Sequence, residues 1–178
     1  MPCKHFILRS FILIFIIIFF SCNRENEDGE KTGISHSKKS LEAVNRLLVE
    51  KDTEQIKSFV ERRGWNMEVS ESGLWYMIYD EGNGKQVEKG NAITFNYNVW
   101  LLNGTLCYSS DESGAKSFVV GKGGVETGLE EGVLLLKHGS KARFILPPHL
   151  AYGLIGDENR IPARASIIYD IEILKIEK

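Results

Sequence analysis

The chain has little cysteine, and that scarcity constrains it before any motif is read. The three cysteines are Cys3, Cys22 and Cys107. The first two lie at the N-terminal end, so Cys107 has no disulfide partner within the folded region. In an oxidising compartment, such a fold must be stable by core packing alone. A basic excess is also missing: 22 Lys and Arg stand against 24 Asp and Glu, a formal charge of −2. With no basic stripe, nucleic acid is not an expected partner. The four histidines lie too far apart, and in the wrong company, for a metal site, so no metal and no cofactor is expected. His138 and His149 read as surface residues. Internal repeats and low-complexity tracts are absent.

A membrane-spanning run is lacking too. The apolar stretch from Phe11 to Phe20 is about 10 residues long, against the roughly 20 a helix needs to cross a bilayer. With Lys4 and Arg9 ahead of it and Ser21-Cys22 behind, residues 1–21 read as a secretory signal. Phe19-Phe20-Ser21-Cys22 resembles a bacterial lipobox, with Phe19 where Leu is usual. The resemblance implies cleavage before Cys22 and a lipid on Cys22. It therefore implies a lipid-anchored protein of the bacterial cell envelope, facing the periplasm or carried on the outer membrane. Cleavage removes Lys4 and Arg9 and no acidic residue, which takes the formal charge from −2 to −4. Two or three acyl chains need no polybasic segment to hold them in a membrane.

What is present falls into three stretches. Residues 22–40 are polar and charged, and predict a flexible tether. Leu41, Val44, Leu47 and Leu48, then Ile56, Phe59 and Val60, recur at spacings of three and four. They predict a short helical segment over 41–64, split in two at Asp52-Thr53 and ended by Gly64. Its apolar stripe suits a spacer packed on its own domain better than a docking surface. From Met67 to the end the period changes to two. Leu74–Tyr79, Ala92–Leu102, Thr105–Tyr108, Ser117–Val120, Lys141–Leu146 and Ser166–Ile176 predict strands. Asn103-Gly104 is a hairpin turn signal, and Glu126–Leu136 carries the one helical pattern of this region. The expected fold class is α+β: an antiparallel sheet wrapped around one short helix. Gly121-Lys-Gly-Gly124 lacks the spacing of a phosphate loop and reads as a turn.

The order of the motifs carries a resemblance. Asn96-Tyr97, Asn103-Gly104, Val120-Gly121-Lys122, Gly128-Leu-Glu-Glu-Gly-Val133, Pro148-His-Leu-Ala-Tyr-Gly153, Ile161-Pro162 and Tyr169-Asp-Ile-Glu-Ile-Leu174 follow one another at near-regular spacing. The series resembles the FKBP-type peptidyl-prolyl cis-trans isomerases and covers about Gly84 to Glu177. The implied fold is a half-barrel of about five antiparallel strands around a short helix. The implied partners are proline-containing polypeptides, and the implied work is folding of exported or envelope proteins. With Ser72-Gly-Leu-Trp-Tyr76 and the lipobox, the chain is also similar to gliding-motility-associated isomerase lipoproteins.

Such chemistry needs no nucleophile, acid or metal. Rotation about an X–Pro bond has a barrier of about 20 kcal/mol because resonance holds the amide planar. An apolar pocket that desolvates the amide and fits its twisted form lowers that barrier. The resemblance assigns the catalytic positions to Tyr97 and Tyr152, the latter as hydroxyl donor to substrate. It assigns substrate contacts to Cys107, Tyr108, Phe118, Val125, Glu126, Leu129, Ile161 and Tyr169, with the Val125 backbone N–H on a substrate carbonyl. Several positions depart from the family pattern. Leu129 stands for a Trp floor, Glu126 for Ile, Tyr169 for Phe, Lys116 for an aromatic, and Cys107-Tyr108 for a Phe-Asp pair. The alternative is a non-catalytic peptide-binding or scaffold lipoprotein. A thiol enzyme built on Cys107 is not expected: the residue sits on an apolar strand beside Leu106, with no Lys, Arg or His near it in sequence.

Overall fold

A computed structural model describes residues 27–178, with side chains from residue 39 onward. The expected leader and the expected lipid site at Cys22 lie outside the described residues. The chain divides into two units after Arg46. The described part of the first is helical, and the rest of the account concerns the second, Leu47–Lys178.

Helix α1 (Glu27–Arg63) is a single helix of 37 residues, so two expectations are corrected. The stretch predicted as tether is helical from Glu27, and the break predicted at Asp52-Thr53 does not occur. Ser, Thr, Asp and Asn disfavour helix interiors when their side chains compete for backbone groups. Here Thr53 makes a backbone bond that a helix accommodates, and Asp52 is held by a distant side chain. Thr53 Oγ1 donates to the Val49 carbonyl at 2.8 Å. The Asp52 carboxylate accepts from Arg164 Nη2 at 3.0 and 2.8 Å. Gly64 ends the helix at φ +64°, a left-handed C-terminal position that glycine adopts without strain. The apolar stripe is split in its use. Ile56, Phe59 and Val60 pack with Ile145 and Ile168, whereas Leu41, Val44 and Leu47 are exposed.

Seven strands make one sheet, two more than the resemblance implied. They are β1 (Glu68–Val69), β2 (Trp75–Asp80), β3 (Ala92–Leu101), β4 (Leu106–Ser109), β5 (Lys116–Val119), β6 (Lys141–Leu146) and β7 (Ile167–Glu177). The order is β1-β2-β6-β7-β3-β4, with β5 also beside β3, and every pairing is antiparallel. β3 organises the site. Ile93, Phe95, Tyr97 and Val99 are buried while Thr94, Asn96 and Asn98 are half-buried, the alternation of a strand with one core face. One edge of β3 takes β7. The other takes β5 along Ala92–Phe95 and β4 along Asn98–Trp100. The β3–β4 turn closes with Gly104 N–H donating to the Leu101 carbonyl at 2.9 Å, and Gly104 at φ +90°.

The two faces of the sheet carry different cores. On β6 and β7, Phe144, Leu146, Ile167 and Tyr169 belong to one cluster, and Ile145 and Ile168 to that of α1. Alternate strand residues point to opposite faces, so α1 covers the outer side. The inner side holds helix α3 (Thr127–Val133); the short turn α2 (Ser110–Ser113) follows β4. The buried residues of α3 are Gly128, Leu129, Gly132 and Val133. A Cβ on Gly128 would lie 2.6 Å from Leu146 Cγ, and one on Gly132 would lie 2.7 Å from Phe144 Cε2. The helix therefore rests on β6 at a distance that no larger residue allows. Gly132→Ala should lower unfolding stability by roughly 1–3 kcal/mol through overpacking, read as a lower denaturant midpoint. An unchanged midpoint would show that Phe144 has room to yield.

Candidate functional site

All ten positions that the resemblance marks as pocket residues converge on the inner face. Tyr97, Cys107, Leu129, Ile161 and Tyr169 are buried in its core. Tyr108, Phe118, Val125 and Tyr152 are half-buried against the same core and form a rim. Glu126, the tenth, is 9% exposed and joins the cluster by a hydrogen bond rather than by apolar contact.

Four strands, helix α3 and two loops place these groups. On β3, Tyr97 packs its ring 6.4 Å from that of Tyr169 on β7, and 5.8 Å from Phe95. The Tyr97 hydroxyl shares a hydrogen bond of 2.9 Å with Ser113 Oγ in α2. Lys116 stands where an aromatic was expected and covers the same ring, its Nζ 5.2 Å from the centroid, a cation–π contact. Phe118, two residues on, meets Phe95 edge-to-face at 5.9 Å. Between β5 and α3, the backbone N–H groups of Val125 and Glu126 donate to no atom among the described residues. They are donors left over at the rim, half-buried at Val125, where a substrate carbonyl could use them.

The departures from the family pattern pair off. Tyr169 Oη donates to Glu126 Oε1 at 2.9 Å, so the two unexpected polar groups satisfy each other. Burial first, and the Glu126 charge second, raise the Tyr169 pKa well above that of a free phenol. It stays a protonated donor. The Tyr152 pKa is raised too, by burial first and then by the Glu126 carboxylate. Tyr108, standing for the family's aspartate on β4, donates to Asp157 Oδ2 in the loop after β6. Asp157 Oδ1 accepts the backbone N–H groups of Ile161 at 2.7 Å and Asn159 at 3.0 Å. Burial pushes the Asp157 pKa up, but the bonds from Tyr108 and those N–H groups outweigh it, and the net shift is downward. A carboxylate and a phenol therefore face each other across this corner of the site.

Cys107 is filler. It is 1% exposed, and its Sγ lies 3.5 Å from the Arg160 carbonyl. Burial, then the Asp157 charge, raises its pKa, so the thiol stays protonated at neutral pH. Arg160 does come close, donating from Nη1 to the Cys107 carbonyl at 2.7 Å, and its guanidinium lies 5.4 Å from the centre of the Tyr108 ring. Neither Arg160 nor Asp157 was marked by the sequence. Asp157 is the only acidic residue between Gly156 and Ile161 besides Glu158, and nothing in the spacing says which of the two turns inward.

Residues 83–174 match the FKBP-type peptidyl-prolyl cis-trans isomerase family, and the chain belongs to it. It is 38% identical over 123 residues to an FKBP-type peptidyl-prolyl cis-trans isomerase FkpA of Buchnera aphidicola, covering 68% of this chain and 47% of that one. It is 38% identical over 105 residues to an FK506-binding protein of Neisseria meningitidis, covering 58% of this chain and 96% of that one. The match thus spans less than half of the FkpA relative but nearly all of the smaller one. Among solved structures, AtFKBP13 superposes with a TM-score of 0.60 at 31% identity, over 62% of this chain and 98% of that one. FkpA from Escherichia coli superposes with a TM-score of 0.61 at 22% identity, over 95% and 82%, a likeness of fold.

The Glu126–Tyr169 pair can be tested as a unit. Tyr169→Phe leaves a buried carboxylate short of a donor and should cost roughly 1–3 kcal/mol of stability. Tyr169→Phe combined with Glu126→Leu removes both polar groups and should recover most of that loss. Denaturant midpoints of the two single variants and the double variant decide it; simple additivity would mean the two side chains act separately.

Proposed function

We propose that the chain is a peptidyl-prolyl cis-trans isomerase that speeds folding of exported or envelope polypeptides, held to a bacterial membrane by lipid on Cys22. The observation that carries the reading is the inner-face site itself. An apolar core of Tyr97, Leu129, Ile161 and Tyr169 lies beneath a rim that offers the Val125 and Glu126 N–H groups and the Tyr152 hydroxyl. A proline ring seated on the apolar part loses water from its imide. The planar, charge-separated form is then solvated less well than in bulk, while the twisted form loses little. Rim donors hold the flanking carbonyls through the rotation. Tyr97 is the wall and Tyr152 the donor; Cys107, Tyr108, Phe118, Val125, Glu126, Leu129, Ile161 and Tyr169 complete the contacts. None of these steps uses a thiol, metal or cofactor.

The substituted corner changes preference rather than removing activity. The Tyr108–Asp157 bond and the Glu126–Tyr169 bond bring polar groups where the family is apolar. Altered choice of the residue before proline follows, as does weak binding of the macrolide ligands of the family. The envelope setting rests on the lipobox, as in the gliding-motility-associated isomerase lipoproteins that the chain resembles.

The test is an isomerisation assay on X–Pro peptides with the full chain in detergent. Wild type should exceed the uncatalysed rate. Tyr152→Phe should lower kcat/KM by roughly 2- to 10-fold, the loss of one ordinary hydrogen bond. Wild type at the background rate on every peptide would leave the scaffold reading. For the anchor, Cys22→Ser should abolish labelling by fatty acid and release the protein from the membrane fraction; a variant that stays labelled contradicts lipidation at Cys22.

A further inference from the structure

Helix α1 packs on the outer side of the sheet, yet one of its side chains reaches the loop that carries two residues of the inner-face site. Asp52 stands one helical turn before Ile56, so it shares the buried stripe of Ile56, Phe59 and Val60 that rests on Ile145 and Ile168. It is 8% exposed, a place that a carboxylate rarely occupies without a partner. The partner is Arg164 Nη2, which donates to Oδ1 at 3.0 Å and to Oδ2 at 2.8 Å. Both side chains are largely out of water, so removing one charge leaves the other poorly solvated.

Arg164 is where the two arms of the loop between β6 and β7 meet. Its backbone N–H donates to the carbonyl of Gly153, the neighbour of Tyr152, at 3.0 Å. The Ala165 N–H donates to the carbonyl of Pro162, the neighbour of Ile161, at 3.3 Å. At Gly156 a Cβ would lie 2.3 Å from the Ile161 carbonyl oxygen, so the arms touch and a shift in one moves the other. The Arg164 backbone lies at φ +57°, a left-handed conformation that a long side chain keeps only when its surroundings hold it there. The far end of the loop is tied to β4 by the Tyr108–Asp157 bond and by Arg160 on the Cys107 carbonyl. Its base is tied to α1 by Asp52. Tyr152 and Ile161 both pack on the inner core.

We propose that Asp52 is a positioning residue for the peptide site: acting through Arg164, it fixes the arms of the loop so that the Tyr152 hydroxyl and the Ile161 side chain meet the substrate. Asp52 itself touches no substrate. This rests on the isomerase reading above, which supplies the roles of Tyr152 and Ile161. With the ion pair broken, the strained Arg164 backbone is free to leave its left-handed conformation. The Gly153 carbonyl then loses its fixed donor, and Tyr152 is held less well for its contact. Docking of α1 on the outer face and the efficiency of the inner-face site are thereby coupled.

The test uses the full chain in detergent, well below its unfolding midpoint. Asp52→Asn keeps the shape and removes the charge, whereas Glu54→Gln removes a like charge from an exposed position of α1 and is the control. Asp52→Asn should lower kcat/KM on an X–Pro peptide by about 3- to 5-fold, and Glu54→Gln should leave it unchanged. In a Tyr152→Phe background, Asp52→Asn should lower it by less than about 1.5-fold more, because both act on one contact. Arg164→Gly accepts the left-handed backbone but lacks the ion pair, so it should match Asp52→Asn, and it carries the comparison if that variant fails to fold. Full additivity with Tyr152→Phe, which a merely structural role would give, overturns the proposal, as does a wild-type kcat/KM in either variant. Amide exchange needs no turnover: residues 164 and 165 should exchange about 10-fold faster in both variants while Leu129 stays unchanged, and unchanged exchange at 164 and 165 also overturns it. Should wild type turn over no peptide, the isomerase reading fails on its own. The proposal is then decided by calorimetry with the same peptide, whose Kd should weaken by about 3-fold in Asp52→Asn; an unchanged Kd overturns it.

Discussion

The seat of α3 on β6 is the contact on which the site depends. Gly128 and Gly132 lie against Leu146 and Phe144 so closely that a methyl group on either would clash. That approach fixes the start of the helix, and with it the Val125-Glu126 stretch that ends the preceding loop. Phe144, which receives Gly132, is the direct cross-strand partner of Tyr169. Tyr169 in turn holds Glu126 at the helix start. Helix, two strands and the loop with its unused N–H donors are thereby locked into one arrangement. Prolyl isomerisation asks for shape and desolvation rather than for a reactive group, so rigidity at this contact is the property that function would require.

Around that fixed frame the substitutions are mutually consistent. A buried carboxylate alone would be costly, and a buried phenol alone would lack a partner. Glu126 and Tyr169 resolve both costs together. Tyr108 and Asp157 repeat the pattern at the loop after β6, and Lys116 supplies a cation to the face of Tyr97 where an aromatic ring would have stacked. The result is an apolar cluster with a polar perimeter. The Asp52–Arg164 pair extends this logic outward, since it ties α1 to the same loop.

Much of this was legible in the sequence because the signals were local. Alternation along β3, the Asn103-Gly104 turn and the spacing of Leu129 and Val133 each have a short-range cause, and the strands lie within a residue or two of expectation. The convergence of the ten pocket positions followed from motif order. What was missed depends on contacts distant in sequence. The helix was expected to break at Asp52-Thr53 because the partner of Asp52 lies 112 positions away. The Tyr108 departure looked like a simple loss because Asp157, 49 positions on, carries no mark of its own. Glu126 and Tyr169 were read as two separate anomalies for the same reason, though they form one hydrogen-bonded pair.

A cavity of about 290 Å³ lies on the other face of the sheet, bounded by Phe59, Trp65, Trp100 and Arg143, and an apolar peptide could in principle prefer it. Backbone amide shifts on titration with a proline peptide separate the two faces most directly. The account predicts the largest changes at Val125, Glu126, Tyr152 and Ile161, with Trp65 and Trp100 unmoved. Shifts centred on Trp65 and Trp100, with the inner-face amides unchanged, would contradict it.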